Sequence, residues 1–148
     1  MDQSKYEALK LQNQLCFPLY AAAREVVKKY RPHLDALDLT YTQYITMMVM
    51  WEKKEITVKA LGEKLFLDSG TMTPVLKSLE AKGYVTRTRS KLDERSVSIT
   101  ITESGEALKE RALEIPYKVA GCVGLESEEA ALLYGLLYNL LNADSAES

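Results

Sequence analysis

The stretch that decides the fold is Val58 to Ile101, V-K-A-L-G-E-K-L-F-L-D-S-G-T-M-T-P-V-L-K-S-L-E-A-K-G-Y-V-T-R-T-R-S-K-L-D-E-R-S-V-S-I-T-I. Val58, Leu61 and Leu65 recur at i, i+3 and i+7, which makes one apolar helical face, and Thr57 stands before them as a cap. Asp68, Ser69 and Gly70 break the pattern. A second helix follows, with Met72, Val75, Leu76 and Leu79 turned inward and Gly83 in the position that ends it. Two short helices joined by a tight polar turn describe a helix-turn-helix. Tyr84 to Arg89 and Ser96 to Ile101 then alternate bulky and polar residues and are rich in β-branched side chains, as strands are. Ser90 to Arg95, S-K-L-D-E-R, is a charged loop between them. Two strands with a basic tip after the second helix make a wing. The expected fold class is mainly α with a small β-wing (α+β), a winged helix-turn-helix carrying further helices at both chain ends.

Working outward, Lys77, Lys82, Arg87, Arg89, Lys91 and Arg95 give this stretch a positive density that the rest of the chain lacks. The net charge of the whole chain is -2, so attraction to a phosphate backbone must come from this local patch. Ser69 and Thr71 open the second helix, and a recognition helix enters the major groove with its N-terminal residues foremost. Ser69, Thr71, Thr73 and Lys77 are therefore placed towards DNA, where small hydroxyls reach base edges or phosphates. For Ser69 a plain N-cap is the competing role. In the wing, Arg87, Arg89 and Lys91 are candidate phosphate contacts. A helix pair followed by a hairpin also occurs in proteins that bind no nucleic acid, and basic loops are often simply solvated.

The 148 residues fit one domain, or one domain with a dimerising extension, and at 47% hydrophobic the chain can bury a core. No apolar run approaches the roughly 20 residues that span a membrane. The M-D-Q-S-K start is charged and is not followed by a signal-peptide core, so a cytoplasmic chain is expected. Two distant cysteines cannot form a disulfide scaffold, and His33 stands alone, so neither a structural metal nor a cofactor is expected.

Tyr6 to Arg31 reads as helix, with Leu11, Leu15, Leu19, Ala22, Val26 and Tyr30 near helical spacing. Pro18 leaves two readings open: a main helix starting near it, or one kinked helix. Under the first, Cys16 lies at a helix N-terminus, where partial positive charge and unpaired N–H groups favour a thiolate. Tyr20 follows one turn on and could donate to the sulfur. A free cysteine is also commonly a small buried hydrophobe. Pro32 is expected to close this helix. Thr40 and Gln43 form a capping box that opens an apolar helix over 41–53, and Glu52 to Glu55 reads as a charged turn. Thr102 caps a helix that runs towards a break near Ile115-Pro116. Gly121 to Gly124 is a weak spot around Cys122, and Ser127 caps a last, leucine-rich helix to about Leu141. Terminal helices this apolar need a partner, so a symmetric homodimer built from both chain ends is expected. In domain terms, 1–39 with 103–148 would dimerise and carry Cys16, and 40–102 would be the winged helix-turn-helix.

The string L-G-E-K-L-F-L-D-S-G-T-M-T-P-V-L-K-S-L-E-A-K-G-Y-V-T-R-T-R-S-K-L-D-E-R-S-V resembles the DNA-binding core of the MarR family of bacterial repressors. Its D-S-G-T-x-T-P-x-L-K and the D-x-R at Asp93 and Arg95 most resemble the organic-hydroperoxide-sensing branch, OhrR. The resemblance runs from about Leu11 to Pro116. L-Q-N-Q-L-C-F-P-L-Y-A-A-A-R-E-V-V-K-K-Y resembles that branch's sensor segment. It implies that Cys16 is the peroxide-reactive thiol, that Tyr20 and Tyr30 hydrogen-bond it, and that Asp93 orients Arg95 towards a minor groove. It also implies a homodimer on double-stranded operator DNA, released when an organic hydroperoxide oxidises Cys16. In two-cysteine sensors a cysteine of the C-terminal region resolves the oxidised thiol. Cys122 is the candidate here, and a low-molecular-weight cellular thiol is the alternative.

Three other functions compete. One is a repressor of the same family released by a small phenolic or aromatic ligand. Another is a thiol peroxidase, which the lone His33 argues against, so an enzyme is not expected. The last is a purely structural dimerisation module, which the recognition-helix and wing string opposes.

Overall fold

The computed structural model describes residues 3–89 and 96–143. Two 3-10 helices, Gln3–Leu9 and Leu11–Asn13, lead into α1 (Cys16–Asp35). Pro18 is the third residue of α1, in the first turn, where its missing N–H removes no helical bond. Of the two readings of this proline, the structure shows the one that starts a helix. Pro32 does not close α1, as its sequence position suggested, but lies inside it. The chain continues because Leu34, Leu37 and Leu39 are all buried and draw the final turn against the core. Beyond α1, Asp38 takes a left-handed φ of 55°. The Leu39 N–H donates to the Leu34 carbonyl and the Asp38 N–H to that of Asp35, the two bonds of a Schellman closure.

Helix α2 (Tyr41–Lys53) begins with the expected box. The Gln43 N–H donates to Thr40 Oγ1 at 3.3 Å, and the Thr40 N–H to Gln43 Oε1 at 3.1 Å. Tyr44, Met47, Val49, Met50 and Trp51 are buried along it. Thr46 is also buried and satisfies its hydroxyl on the Thr42 carbonyl at 2.7 Å. The expected charged turn is replaced by an element that was not read from the sequence. Lys54 turns the chain at φ 68°, and Glu55–Thr57 forms strand β1. Three residues are too few to show a two-residue period.

Helices α3 (Val58–Leu65) and α4 (Ser69–Ala81) form the helix-turn-helix, and strands β2 (Val85–Arg89) and β3 (Val97–Ile101) the wing. The sheet is antiparallel in the order β1-β3-β2, with Ile56 opposite Ile99 and Arg87 opposite the same residue from the other side. The wing is thus a three-stranded sheet with β3 in its centre. Thr57 caps α3 by accepting the Ala60 N–H. The turn between the helices puts Phe66 at φ 57°, where glycine usually stands. Gly83, at φ 82°, ends α4: the Tyr84 N–H reaches back to the Leu79 carbonyl and the Gly83 N–H to that of Glu80. The inner face of α4 is Met72, Val75, Leu76 and Leu79, all buried, as the spacing predicts.

Helix α5 (Glu103–Ala112) is capped by Thr102, whose hydroxyl accepts the Gly105 N–H at 3.1 Å and donates to the Gly83 carbonyl at 2.6 Å. The helix ends at Ala112, and the expected break near Ile115-Pro116 is present as a two-residue turn. Pro116 then lies in the first turn of α6 (Ile115–Val123). Helix α6 continues through Gly121 and Cys122, and the stop falls at Gly124, φ 77°. Helix α7 (Ser127–Ala143) follows. The capping position before it is held by Glu126: its carbonyl accepts the Ala130 N–H, and its own N–H donates to Glu129 Oε1. Ser127 is the first helical residue rather than the cap.

The described residues fall into two compact units divided between Pro116 and Tyr117. In the second unit α7 buries no residue and exposes Leu132, Leu133, Tyr134, Leu136, Tyr138 and Leu140. Among the described residues no helix is long and apolar enough to cross a membrane.

Candidate nucleic-acid interface and thiol site

Helix α4 divides its residues sharply. Opposite its buried face, Ser69, Gly70, Thr71, Thr73, Pro74 and Lys77 are exposed and share the outer side of the helix. The cap falls on Asp68, not on Ser69: Asp68 Oδ1 accepts the Thr71 N–H at 2.7 Å. Hydrogen bonds from the Thr71 backbone and side chain, and from the Gly70 N–H, hold the Asp68 carboxyl below its ordinary range. Ser69 is thereby left free of the capping role, with its side chain at the tip of the helix. Thr73 is exposed, and its hydroxyl donates to the Ser69 carbonyl at 2.8 Å. The structure brings Ser69, Thr71, Thr73 and Lys77 together on one surface, as their spacing predicts.

In the wing Arg87 and Arg89 are both exposed. Arg87 is engaged within the fold: its guanidinium donates to both carboxylate oxygens of Glu80, at 3.3 and 3.4 Å, and its backbone N–H donates to Glu80 Oε2 at 3.2 Å. These bonds hold the Glu80 carboxyl below its ordinary range. Arg87 therefore ties β2 to the recognition helix while remaining at the surface. Sequence spacing could not show this, because the Glu80 partner lies across a helix-to-strand turn. Lys91, Asp93 and Arg95 lie outside the described residues.

Cys16 is the first residue of α1 and is exposed as a free thiol. Leu15 precedes it without a side-chain cap, so the first N–H groups of α1 take no side-chain acceptor. Tyr20 is exposed one turn on, with the Arg24 guanidinium over its ring at 5.5 Å. Tyr30 stands fourteen residues further along the same helix, roughly 21 Å at 1.5 Å per residue. Cys16 and Tyr30 of one chain therefore cannot meet, and any bond between them joins two copies.

Within its own chain Tyr30 packs on α2, with ring centroids 5.0 Å from Tyr41 and 5.7 Å from Tyr44. Tyr44 is in turn 6.5 Å from Trp51. Burial, and then the neighbouring Tyr30 and Tyr41, push Tyr44 up to about 12. Burial raises Tyr30 and Tyr41 as well. Each of these phenols keeps its proton in the folded chain after the unfolded chain has lost it. Their stabilising effect is complete below about pH 10. It is lost as pH rises towards about 12, the value for Tyr44. Tyrosinate absorbance in an alkaline titration should therefore show Tyr44 ionising together with unfolding.

Cys122 is exposed in the last turn of α6, and its thiol donates to the Lys118 carbonyl at 3.4 Å. The two cysteines fall in different units of the chain. Among the described residues no cluster of three or more His, Cys, Asp or Glu side chains could hold a metal ion. The first unit also has an apolar cavity of about 410 Å³ between α2 and α5, lined by Tyr44, Met48, Trp51, Leu113 and Pro116, with Glu52 and Lys109 as its charged members.

Residues 25–112 match the family described as transcriptional regulator SarA/Rot. The organic hydroperoxide resistance transcriptional regulator of Bacillus subtilis is 49% identical over 139 residues, covering 94% of this chain and 95% of that protein. The HTH-type transcriptional regulator SarZ of Staphylococcus aureus is 44% identical over 132 residues, covering 89% of each. AbfR, known from Staphylococcus epidermidis, has been solved reduced and bound to DNA. That structure shares 34% identity and a TM-score of 0.76, and covers 93% of this chain and 96% of the other. A disulfide-formed AbfR matches at 32% identity and a TM-score of 0.64, covering 95% and 99%. With its recognition helix, its wing and these relatives over nearly its whole length, the chain belongs to the MarR-type winged-helix transcriptional regulators, in the group that holds the SarA/Rot and organic hydroperoxide resistance regulators.

Proposed function

We propose that this chain is a transcriptional repressor that binds operator DNA as a homodimer in the bacterial cytoplasm and releases it when an organic hydroperoxide oxidises Cys16. The observation that carries the reading is an exposed thiol at the first position of α1 in the same chain as an exposed polar face on α4. Similarity to a hydroperoxide-resistance regulator over 94% of the chain supports the same oxidant class. In this reading residues 1–39 and 103–148 form the dimerising region and 40–102 the DNA reader. The exposed leucines and tyrosines of α7 support a second copy as their cover.

The chemistry balances without a cofactor. The Cys16 sulfur attacks the terminal peroxide oxygen, an S–O bond forms, and the O–O bond breaks. The alkoxide leaves as an alcohol once protonated. The sulfur, oxidised by two electrons, is a sulfenic acid. A second thiol then condenses with it to a disulfide and releases water. Cys122 is the candidate second thiol, and a small cellular thiol is the other. Tyr20 of its own chain and Tyr30 of a second copy would donate hydrogen bonds to the sulfur, which supports a sensor assembled only in the dimer. Ser69, Thr71 and Thr73 would face the major groove, and Lys77, Arg87, Arg89, Lys91, Asp93 and Arg95 would face phosphates and the minor groove.

The test is binding of an operator duplex by the reduced protein before and after cumene hydroperoxide, with dithiothreitol added back. Release that the reductant reverses is the expected outcome. Binding that persists through oxidation would overturn the reading. The cavity between α2 and α5 favours a second reading, release by an aromatic acid whose carboxylate pairs with Lys109. Release by salicylate in the presence of dithiothreitol would select it.

A further inference from the structure

Helix α4 is held from behind by a polar clamp that does not include the DNA face. Gln43 is buried, and both ends of its side chain are engaged. Its Nε2 donates to Ser78 Oγ at 2.9 Å. Its Oε1 accepts the Thr40 N–H and, at 3.1 Å, the Lys82 ammonium. Ser78 and Lys82 are one turn apart at the C-terminal end of α4. Lys82 also donates to the Asp38 carbonyl, in the loop that follows α1. The Lys82 side chain is only 25% exposed, and its ammonium also pairs with the Asp38 carboxylate at 3.6 Å.

The far end of this clamp is the end of α1. The last carbonyls of a helix lack intrahelical donors and carry partial negative charge, which favours cations. Arg111 of α5 meets this need at the Ala36 carbonyl, 2.9 Å away, and Lys82 donates to the Asp38 carbonyl in the loop beyond. The loop that follows α1 is thus hydrogen-bonded directly to the C-terminal end of the recognition helix. The Gln43 amide serves all three partners at once, its Nε2 donating to Ser78 Oγ while its Oε1 accepts from Thr40 and Lys82. Methionine, of similar length and shape, would remove every one of these bonds.

We propose that Gln43 and Lys82 are positioning residues for operator recognition, fixing the angle of α4 against α2 and the end of α1 without touching DNA. This rests on the DNA-binding reading above. A basic residue in such a domain is ordinarily taken for a phosphate contact, and salt dependence separates the two roles. Each phosphate contact removed lowers the slope of log K against log salt by about 0.9. A positioning residue lowers the affinity and leaves the slope unchanged.

The experiment measures binding, as a function of salt, to a duplex selected from a random pool by the reduced wild-type protein. Lys82→Met, Gln43→Met and Ser78→Ala are compared with Lys77→Gln, which removes a candidate phosphate contact. Lys82→Met is expected to bind at least about tenfold more weakly, the factor that a lost charge-assisted hydrogen bond supplies, with the wild-type slope. Lys82→Arg should recover most of the affinity. Lys77→Gln should lower the slope. If Lys82→Met does not fold, Gln43→Met and Ser78→Ala decide by the same criterion, weaker binding at an unchanged slope. A reduced slope for Lys82→Met, or wild-type affinity in all three clamp variants, would overturn the proposal. A wild-type protein that selects no duplex would remove the DNA-binding reading, and the clamp with it.

Discussion

Replacing Cys16 by Ser should leave operator binding of the reduced protein within about twofold of wild type, as expected for an exposed substitution, and should abolish release by organic hydroperoxide. The two halves of this expectation have separate physical grounds. Cys16 is exposed at the first position of α1 and packs into no core, so serine, nearly isosteric, removes little that holds the fold. The hydroxyl cannot take the peroxide oxygen to give a reversible acid, so the chemical step is lost altogether. The readout is the fraction of duplex bound across a cumene hydroperoxide titration. Wild type falls to the unbound level, and the variant stays flat. Cys122→Ser runs beside it and assigns the second thiol. If Cys122 resolves the sulfenic acid, the oxidised variant loses its disulfide-linked dimer on a non-reducing gel and needs a small thiol to release DNA. Tyr30→Phe bears on the assembled sensor. Because Tyr30 is roughly 21 Å from Cys16 along α1, an altered Cys16 oxidation rate in this variant means that a second copy's phenol reaches the thiol. A Cys16→Ser protein that peroxide releases normally would move the signal elsewhere, and the cavity between α2 and α5 is then the place to look.

What could be read from the sequence follows the range over which each physical cause acts. Caps and closures act over three to six residues, so the Thr40–Gln43 box, the Thr57 and Thr102 caps and the Gly83 stop were all legible. The two faces of α4 were legible for the same reason, since a 3.6-residue period separates Met72, Val75, Leu76 and Leu79 from Ser69, Thr71, Thr73 and Lys77 without any partner. Features that depend on distant residues were not. Strand β1 exists because β3 offers it a ladder from Ser98 to Thr100, and Glu55–Thr57 alone carries no such signal. Pro32 is accommodated inside α1, where the chain goes on to the buried Leu34, Leu37 and Leu39, and burial is not visible in local spacing. Arg87 and Lys82 both read as basic surface until Glu80, Gln43 and Asp38 are placed beside them. The Asp68 cap was a local miss: Asp68 and Ser69 are both good caps, and only the Asp68 bond to the Thr71 N–H chooses between them.

Gly105→Ala should be the most damaging single-methyl change in the first unit. A Cβ at Gly105 would lie 2.4 Å from the Tyr84 carbonyl oxygen, 2.8 Å from Ile101 Cγ1 and 3.3 Å from Met47 Cε. The first of these is backbone, fixed by its own bond from the Thr102 N–H, so it cannot swing aside as a side chain could. Relieving the overlap means moving α5 away from the junction of α4, β2 and β3. Overpacking of this kind costs about 3 kcal/mol at the upper end of its range. The movement also weakens the bond from the buried Trp51 Nε1–H to the Gly105 carbonyl, 2.9 Å long, which is worth about 1 kcal/mol. Alanine recovers about 1 kcal/mol of helix propensity over glycine. The net loss is about 3 kcal/mol, a fall in Tm of roughly 6–12 °C for a chain of this size. Trp51 is the only tryptophan, so its emission reports the same junction directly and should shift to the red. Gly70→Ala is the control: a Cβ there meets only Asp68 Oδ1, at 3.5 Å, and the Tm should stay at or above that of wild type. An unchanged Tm and unchanged emission in Gly105→Ala would mean that α5 does not approach Tyr84 this closely. With that, the support of the recognition helix from behind would have to be sought in the Gln43 and Lys82 clamp alone.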